Sequence, residues 1–113
     1  VYATDDLVGK SSSDQQLKEN VLTIDTALNK LEHIGGYSFK WNDNIGDFRA
    51  QTNDYGVIAQ EIENILPDAV SINGRGYKTV NYNALIPLLI QAVKELSAKV
   101  DYYMQTEGEE DDG

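Results

Sequence analysis

Cysteine is absent from this chain, and that absence removes several function classes at once. No disulfide, thiolate metal site or thiol nucleophile can be built, and the redox compartment stays open. Histidine is nearly absent too, since His33 is the only one. A Ser-His-Asp triad would have to use it. Its place at the end of a helical pattern suits a capping role better. Basic residues are scarce, 9 against 19 acidic, for a formal net charge of −10. Such a chain repels nucleic acid backbones and anionic membrane surfaces, so neither is expected as a partner. No apolar run is long enough to span a bilayer, and no secretory signal is visible. The glycines at Gly56 and Gly74–Gly76 form no phosphate-binding loop. The acidic run of Glu107, Glu109, Glu110, Asp111 and Asp112 lacks calcium-loop spacing. No metal or cofactor is therefore expected, and the run reads as a solvated, disordered tail.

At 113 residues the chain makes one domain with a modest core, so oligomerisation is a natural source of further stability. It begins Val1-Tyr2-Ala3, without methionine, as a piece of a longer protein would. Residues 1–12 are polar, with Gly9 and serines at 11, 12 and 13, and read as a linker or the end of a preceding segment. Val21, Ile24, Leu28 and Leu31 then recur at helical spacing, which predicts an amphipathic helix of about four turns. Ser13 and Gln16 match the capping-box pattern at its start, and Gly35-Gly36 stop it. Tyr37, Phe39 and Trp41 alternate with Ser38 and Lys40 as in a short strand with an aromatic face. Asn42 to Asn53 reads as a loop, and Gly56 to Pro67 as a helix with Ile58, Ile62 and Ile65 on one face. Ala69 to Ile72 and Tyr77 to Val80 flank Asn73-Gly74-Arg75-Gly76, the pattern of a β-hairpin.

The last element carries the strongest pattern. Tyr82, Leu85, Leu89, Ala92 and Leu96 step alternately by three and four, the spacing of a coiled-coil seam. Ile86, Ile90 and Val93 form a second apolar row, extended by Val100 and Tyr103. A helix apolar on two sides needs cover on two sides, from its own domain and from a partner. Pro87 falls near the first turn, where its missing amide costs least. Helix, strand, helix, hairpin and long helix make the fold class α+β.

One local pair stands ahead of the first helix. Ser13 and Lys18 lie five residues apart in Ser13-Asp14-Gln15-Gln16-Leu17-Lys18-Glu19-Asn20. On spacing alone Ser13 is a helix N-cap and Lys18 a solvated surface lysine. A serine next to a lysine kept neutral is also a nucleophile with its base. Gln60 and Glu61 are candidates for partner contacts, with a solvated or structural role as the plainer reading.

The order of motifs decides between these readings. Ser13-Asp14-x-x-x-Lys18-Glu19-Asn20 is followed by Asp25 to Leu28, the strand with Trp41, Gly56-x-Ile58-Ala59-Gln60-Glu61, Leu66-Pro67, Val80-Asn81-Tyr82 and the Leu88 to Leu96 helix. This series resembles the C-terminal intramolecular chaperone domain of phage tail spikes and tail fibres, the S74 peptidase family, over residues 13–103. The resemblance implies a homotrimer whose core is the long helix, with Leu85, Leu89, Ala92 and Leu96 at the interface. It implies that the domain assists folding and assembly of the upstream fibre segment of the same polypeptide in the host cell cytoplasm. It further implies autoproteolysis at Ser12–Ser13, with Ser13 as nucleophile and Lys18 as general base, and release of the domain from the mature fibre. The family often has arginine where this chain has Gln16. The domain organisation that follows is 1–12 as upstream fibre or linker, 13–105 as the chaperone domain and 106–113 as the acidic tail. The alternative is a non-catalytic trimerisation or capping module that stays attached to its fibre.

Overall fold

The computed structural model describes residues 12–112, with side chains through residue 105. Of the upstream segment 1–12, all but Ser12 lies outside the described residues. Three helices and two hairpins follow one another: α1 (Ala27–Leu31), β1 (Tyr37–Lys40), β2 (Asn53–Gly56), α2 (Ala59–Ile65), β3 (Val70–Ile72), β4 (Lys78–Val80) and α3 (Leu85–Asp112). The mixed helix-and-strand architecture agrees with the sequence pattern.

The first helix departs from expectation. It is confined to Ala27–Leu31 rather than filling four turns, and Ser13 does not cap it. Asp14 instead caps a short 3-10 turn at Gln15–Leu17, its carboxylate accepting from the Gln16 amide at 2.8 Å. Asn20 and Thr26 take left-handed backbone, with φ of 55° and 49°, and a right-handed helix cannot pass through either. Thr26 is β-branched, and Val21 and Thr23 are weak helix formers, so local propensity does not resist the break. The start of α1 is set from a distance: Glu95, on α3, accepts from the amides of Ala27 and Leu28.

The strand around Phe39 forms as expected, but its partner lies inside and just past the presumed loop. Asn53–Gly56 pairs antiparallel with β1 in the register Tyr37↔Gly56 to Lys40↔Asn53. Asn-Asp-Tyr-Gly has little strand propensity, so only the pairing reveals it. Phe39 and Trp41 pack edge to face at 4.9 Å between centroids, and Arg49 lies over the Trp41 ring at 5.0 Å. Tyr37, by contrast, is exposed.

In α2, Ile62 is fully buried, while Ile58 precedes the helix as its exposed N-cap residue. Pro67 opens the 3-10 turn that leads into β3. The second hairpin pairs Val70 with Val80 and Ile72 with Lys78 around the expected turn. Asn73 Oδ1 holds that turn by accepting from the Arg75 and Tyr77 amides. A two-stranded sheet is marginal alone. Here the Lys78 ammonium is paired with Glu63 of α2, and Ile62 is buried beneath. Asn81 caps the turn before α3 by accepting from the Asn83 amide. The helix then runs without a break to Asp112, taking in the backbone of the run read as a disordered tail.

The core is small. Ala27, Leu88 and Ala92 are buried at its centre, with Ile24, Leu28, Leu31, Ile65, Leu66 and Leu85 packed around them. Many large apolar side chains of the described residues stay uncovered in one copy, among them Leu22, Leu89, Ile90, Val93 and Leu96.

Candidate functional site

The 3-10 turn at Gln15–Leu17 folds the chain back so that Lys18 Nζ donates to Ser13 Oγ at 2.9 Å. The turn is closed by the Leu17 amide on the Asp14 carbonyl and the Lys18 amide on the Gln15 carbonyl. Ser12, Ser13, Gln16 and Lys18 are all exposed. The pair read from the sequence is thus brought together, on an open surface.

The second candidate is α3. The row read as a seam divides. Leu85 and Ala92 turn inward with Leu88 onto α1, Leu88 at 0% exposure and Ala92 at 1%. Leu89 and Leu96 turn outward and align with Ile86, Val93, Val100 and Tyr103, each between 45% and 61% exposed. These six step by three, four, three, four and three, an unbroken coiled-coil spacing displaced from the original row. The displacement has a physical cause. Leu85, Leu88, Ala92 and Glu95 form one side of the helix, and α1 occupies it.

Several polar side chains hold the frame around α3 in roles the sequence did not reveal, and Tyr82, read as the first seam residue, is one of them, lying in the turn before the helix. The Glu95 carboxylate reaches Ala27 and Leu28 at 3.0 Å each. Tyr82 OH accepts from the Val57 amide at 3.2 Å, and a side chain at Gly56 would collide with that hydroxyl. Arg75 donates to the carbonyls of Asn44 and Ile45, joining the second hairpin to the loop of the first. Nothing local marks these roles, because the partners lie 25 to 68 positions away. Glu61 has the structural role read for it: it accepts from the Gly35 amide at 3.0 Å and from Tyr37 OH at 2.6 Å. That hydrogen bond, with some burial and the carboxylate's charge, raises the Tyr37 pKa above the usual tyrosine value. His33 caps the end of α1, its Nδ1 within 2.8 Å of the Asn29 carbonyl.

Among the described residues no cluster of three or more acidic or histidine side chains comes together to hold a metal ion. No helix among the described residues is long and apolar enough to cross a membrane.

Comparison with known proteins gives a consistent picture. Residues 13–71 match the Peptidase S74 family model, described as the chaperone of endosialidase. The chain is 39% identical over 92 residues to the long tail fibre protein Gp37 of Enterobacteria phage K3, covering 78% of this chain and 7% of that protein. The same figures hold for Gp37 of Enterobacteria phage T2. Identity to Gp37 of Salmonella phage S16 is 32%, over 73% of this chain and 12% of that protein. The chain thus spans a small fraction of the length of these relatives.

One expectation needs correction. The chain was expected to be an autoproteolytic serine peptidase with a Ser13–Lys18 dyad. A lysine acts as base where burial or a neighbouring cation favours its neutral form. Lys18 is exposed, with no burial and no neighbouring cation among its hydrogen-bond partners, and its Nζ rests 2.9 Å from the Ser13 hydroxyl in open solvent. The matched family is described by its chaperone role, and the geometry on the surface is that of a turn-closing hydrogen bond. With a family model matching more than half of its length and relatives at up to 39% identity, the chain belongs to the Peptidase S74 family, the chaperone of endosialidase.

Proposed function

We propose that this domain is a folding and assembly module of a phage tail fibre, one that self-associates as a trimer through α3 and stays attached to its fibre. The observation that carries this reading is the exposed row Ile86, Leu89, Val93, Leu96, Val100 and Tyr103. A row of that spacing exposed on a long helix is the geometry by which parallel helices associate. Burying it would cover six large apolar side chains that the single chain leaves exposed. The trimer number comes from the family resemblance.

Association sets three chains in register at one end, which lowers the entropy that the upstream segment loses when its strands or helices pair. That is the physical content of the chaperone role. It acts in the host cell cytoplasm during virion assembly, on the fibre segment N-terminal to residue 13 of the same polypeptide. Neither nucleic acid nor membrane takes part.

The test is a longer chain carrying its upstream fibre segment, compared with Val93→Asp. The wild type is expected to form a soluble trimer by light scattering and to run as one full-length band on a denaturing gel. The variant is expected to lose the trimer and leave the upstream segment aggregated. A soluble, correctly assembled fibre from the variant would refute the assembly role. A cut that Ser13→Ala abolishes would refute the attached state.

A further inference from the structure

We infer that the segment Leu17–Leu22 of each copy docks on the Ile90 flank of α3 in the neighbouring copy, so that the trimer is clasped from outside as well as joined along its axis. This rests on the self-association reading above and names a second contact within it.

The segment is ordered yet presents its apolar side chains outward. Leu17 is 71% exposed, Val21 67% and Leu22 83%. Their placement is not that of a loose loop. The turn at Gln15–Leu17 is capped by Asp14 and closed by Lys18 on Ser13, and Ile24 is anchored on the core. Residues held at both ends with three large aliphatic groups facing solvent form an apolar surface awaiting cover.

Heptad geometry identifies the cover. If Ile86, Val93 and Val100 are the a positions and Leu89, Leu96 and Tyr103 the d positions, then Leu85 and Ala92 are g, and Ile90, Ser97 and Met104 are e. The chain's own α1 sits on the side made by the g and adjoining c positions, where Ala27 packs with Ala92 and Leu88. In a parallel bundle the g side of one helix faces the e side of the next. Thus α1, and the segment leading into it, is carried toward the neighbour's e flank. That flank is apolar and uncovered in the single chain, with Ile90 at 58% and Met104 at 65% exposure. The chain's own e flank is on the far side of α3 from α1, so the occupant is a second copy.

Height along the bundle agrees. The Glu95 bonds to Ala27 and Leu28 place the start of α1 beside residue 95. Leu22 lies two residues upstream of the half-buried anchor Ile24, a reach of about 7 Å in extended chain. It therefore meets the e flank between Ile90 and Ser97.

The absence of cysteine makes the test clean. Chains carrying Leu22→Cys are co-refolded with chains of different tagged length carrying Ile90→Cys, and in a second mixture Ser97→Cys. Assembly is read by light scattering, and disulfides by non-reducing gel after mild oxidation. The expected result is a trimer with a mixed-size band that reductant removes. A verified trimer without the mixed band in either mixture overturns the docking and leaves the α3 seam standing. A monomer by light scattering in the parent chain overturns the seam, and the clasp with it.

Discussion

Glu95 and Ala27 are joined by a 3.0 Å hydrogen bond from the Ala27 amide to the Glu95 carboxylate, across 68 positions of sequence. The same carboxylate takes the Leu28 amide. Thr26, the residue that local rules would make the N-cap, makes no side-chain cap bond. A helix of five residues is too short to stand alone, and it exists because α3 supplies both its cap and its apolar cover.

Replacing Glu95 by Ala should therefore cost more than an ordinary cap. Hydrogen bonds to a charged group contribute about 1.5–3 kcal/mol each where partly buried, and the two orphaned amides are only partly rescued by water, so a loss of about 2–4 kcal/mol is expected. Glu95→Gln keeps one acceptor oxygen and should recover part of it. Denaturant midpoints at constant slope measure both.

The two faces of α3 should separate cleanly under mutation. Leu88→Ala removes a fully buried side chain and should cost about 2–5 kcal/mol of fold stability. Leu89→Asp, one residue along, places a charge in the exposed row. It should abolish the oligomer while the helical circular dichroism of the single chain persists. Light scattering combined with chemical denaturation distinguishes the two.

Ser13→Ala and Lys18→Ala should each shift stability by less than about 1 kcal/mol, because an exposed hydrogen bond exchanges nearly evenly with water. The bond closes a turn, and its loss should appear as faster amide exchange at Leu17 and Lys18. A loss of several kcal/mol would mean the pair is buried in the assembled protein.

Tyr37 supplies a pH signature. Its pKa is raised, first by the hydrogen bond to Glu61, then by some burial and the carboxylate's charge. The folded state holds that proton more tightly than the unfolded chain. Its stabilising contribution is complete below the unfolded tyrosine pKa of about 10 and fades as pH rises through the folded value. Absorbance titration should show Tyr37 ionising late, and Glu61→Gln should bring its ionisation to lower pH. Asp47 works in the opposite direction, lowered chiefly by its hydrogen bonds to Arg49. Its contribution is present above the unfolded aspartate pKa and is lost as pH falls through the folded value.

The elements with a clear period were readable in advance. Tyr37–Lys40, the hairpin around Asn73–Gly76 and the long helix from Leu85 all lie near where alternation, turn residues and three-four steps put them. The Ser13–Lys18 pairing was suggested only by the family resemblance, since a five-residue spacing alone does not join two side chains, and here the 3-10 turn at Gln15–Leu17 supplies the reversal that does. What local pattern misjudged was length, partner and role. The period of Val21, Ile24, Leu28 and Leu31 is real, yet only its last part is helix, since left-handed backbone at Asn20 and Thr26 breaks it. The strand Asn53–Gly56 has no signal of its own and is made by its ladder to β1.

Composition and periodicity, then, were enough to establish a small acidic α+β domain without thiol chemistry, with a long helix apolar on more than one side. They left undecided which apolar row is spent inside the chain and which remains for a partner, because both rows share one spacing and differ by one residue in phase. Tertiary packing decided that. By drawing Glu95, Ala92 and Leu88 onto α1, it left Leu89, Val93 and Leu96 facing outward, and a helix rotation is settled only by what the helix packs against.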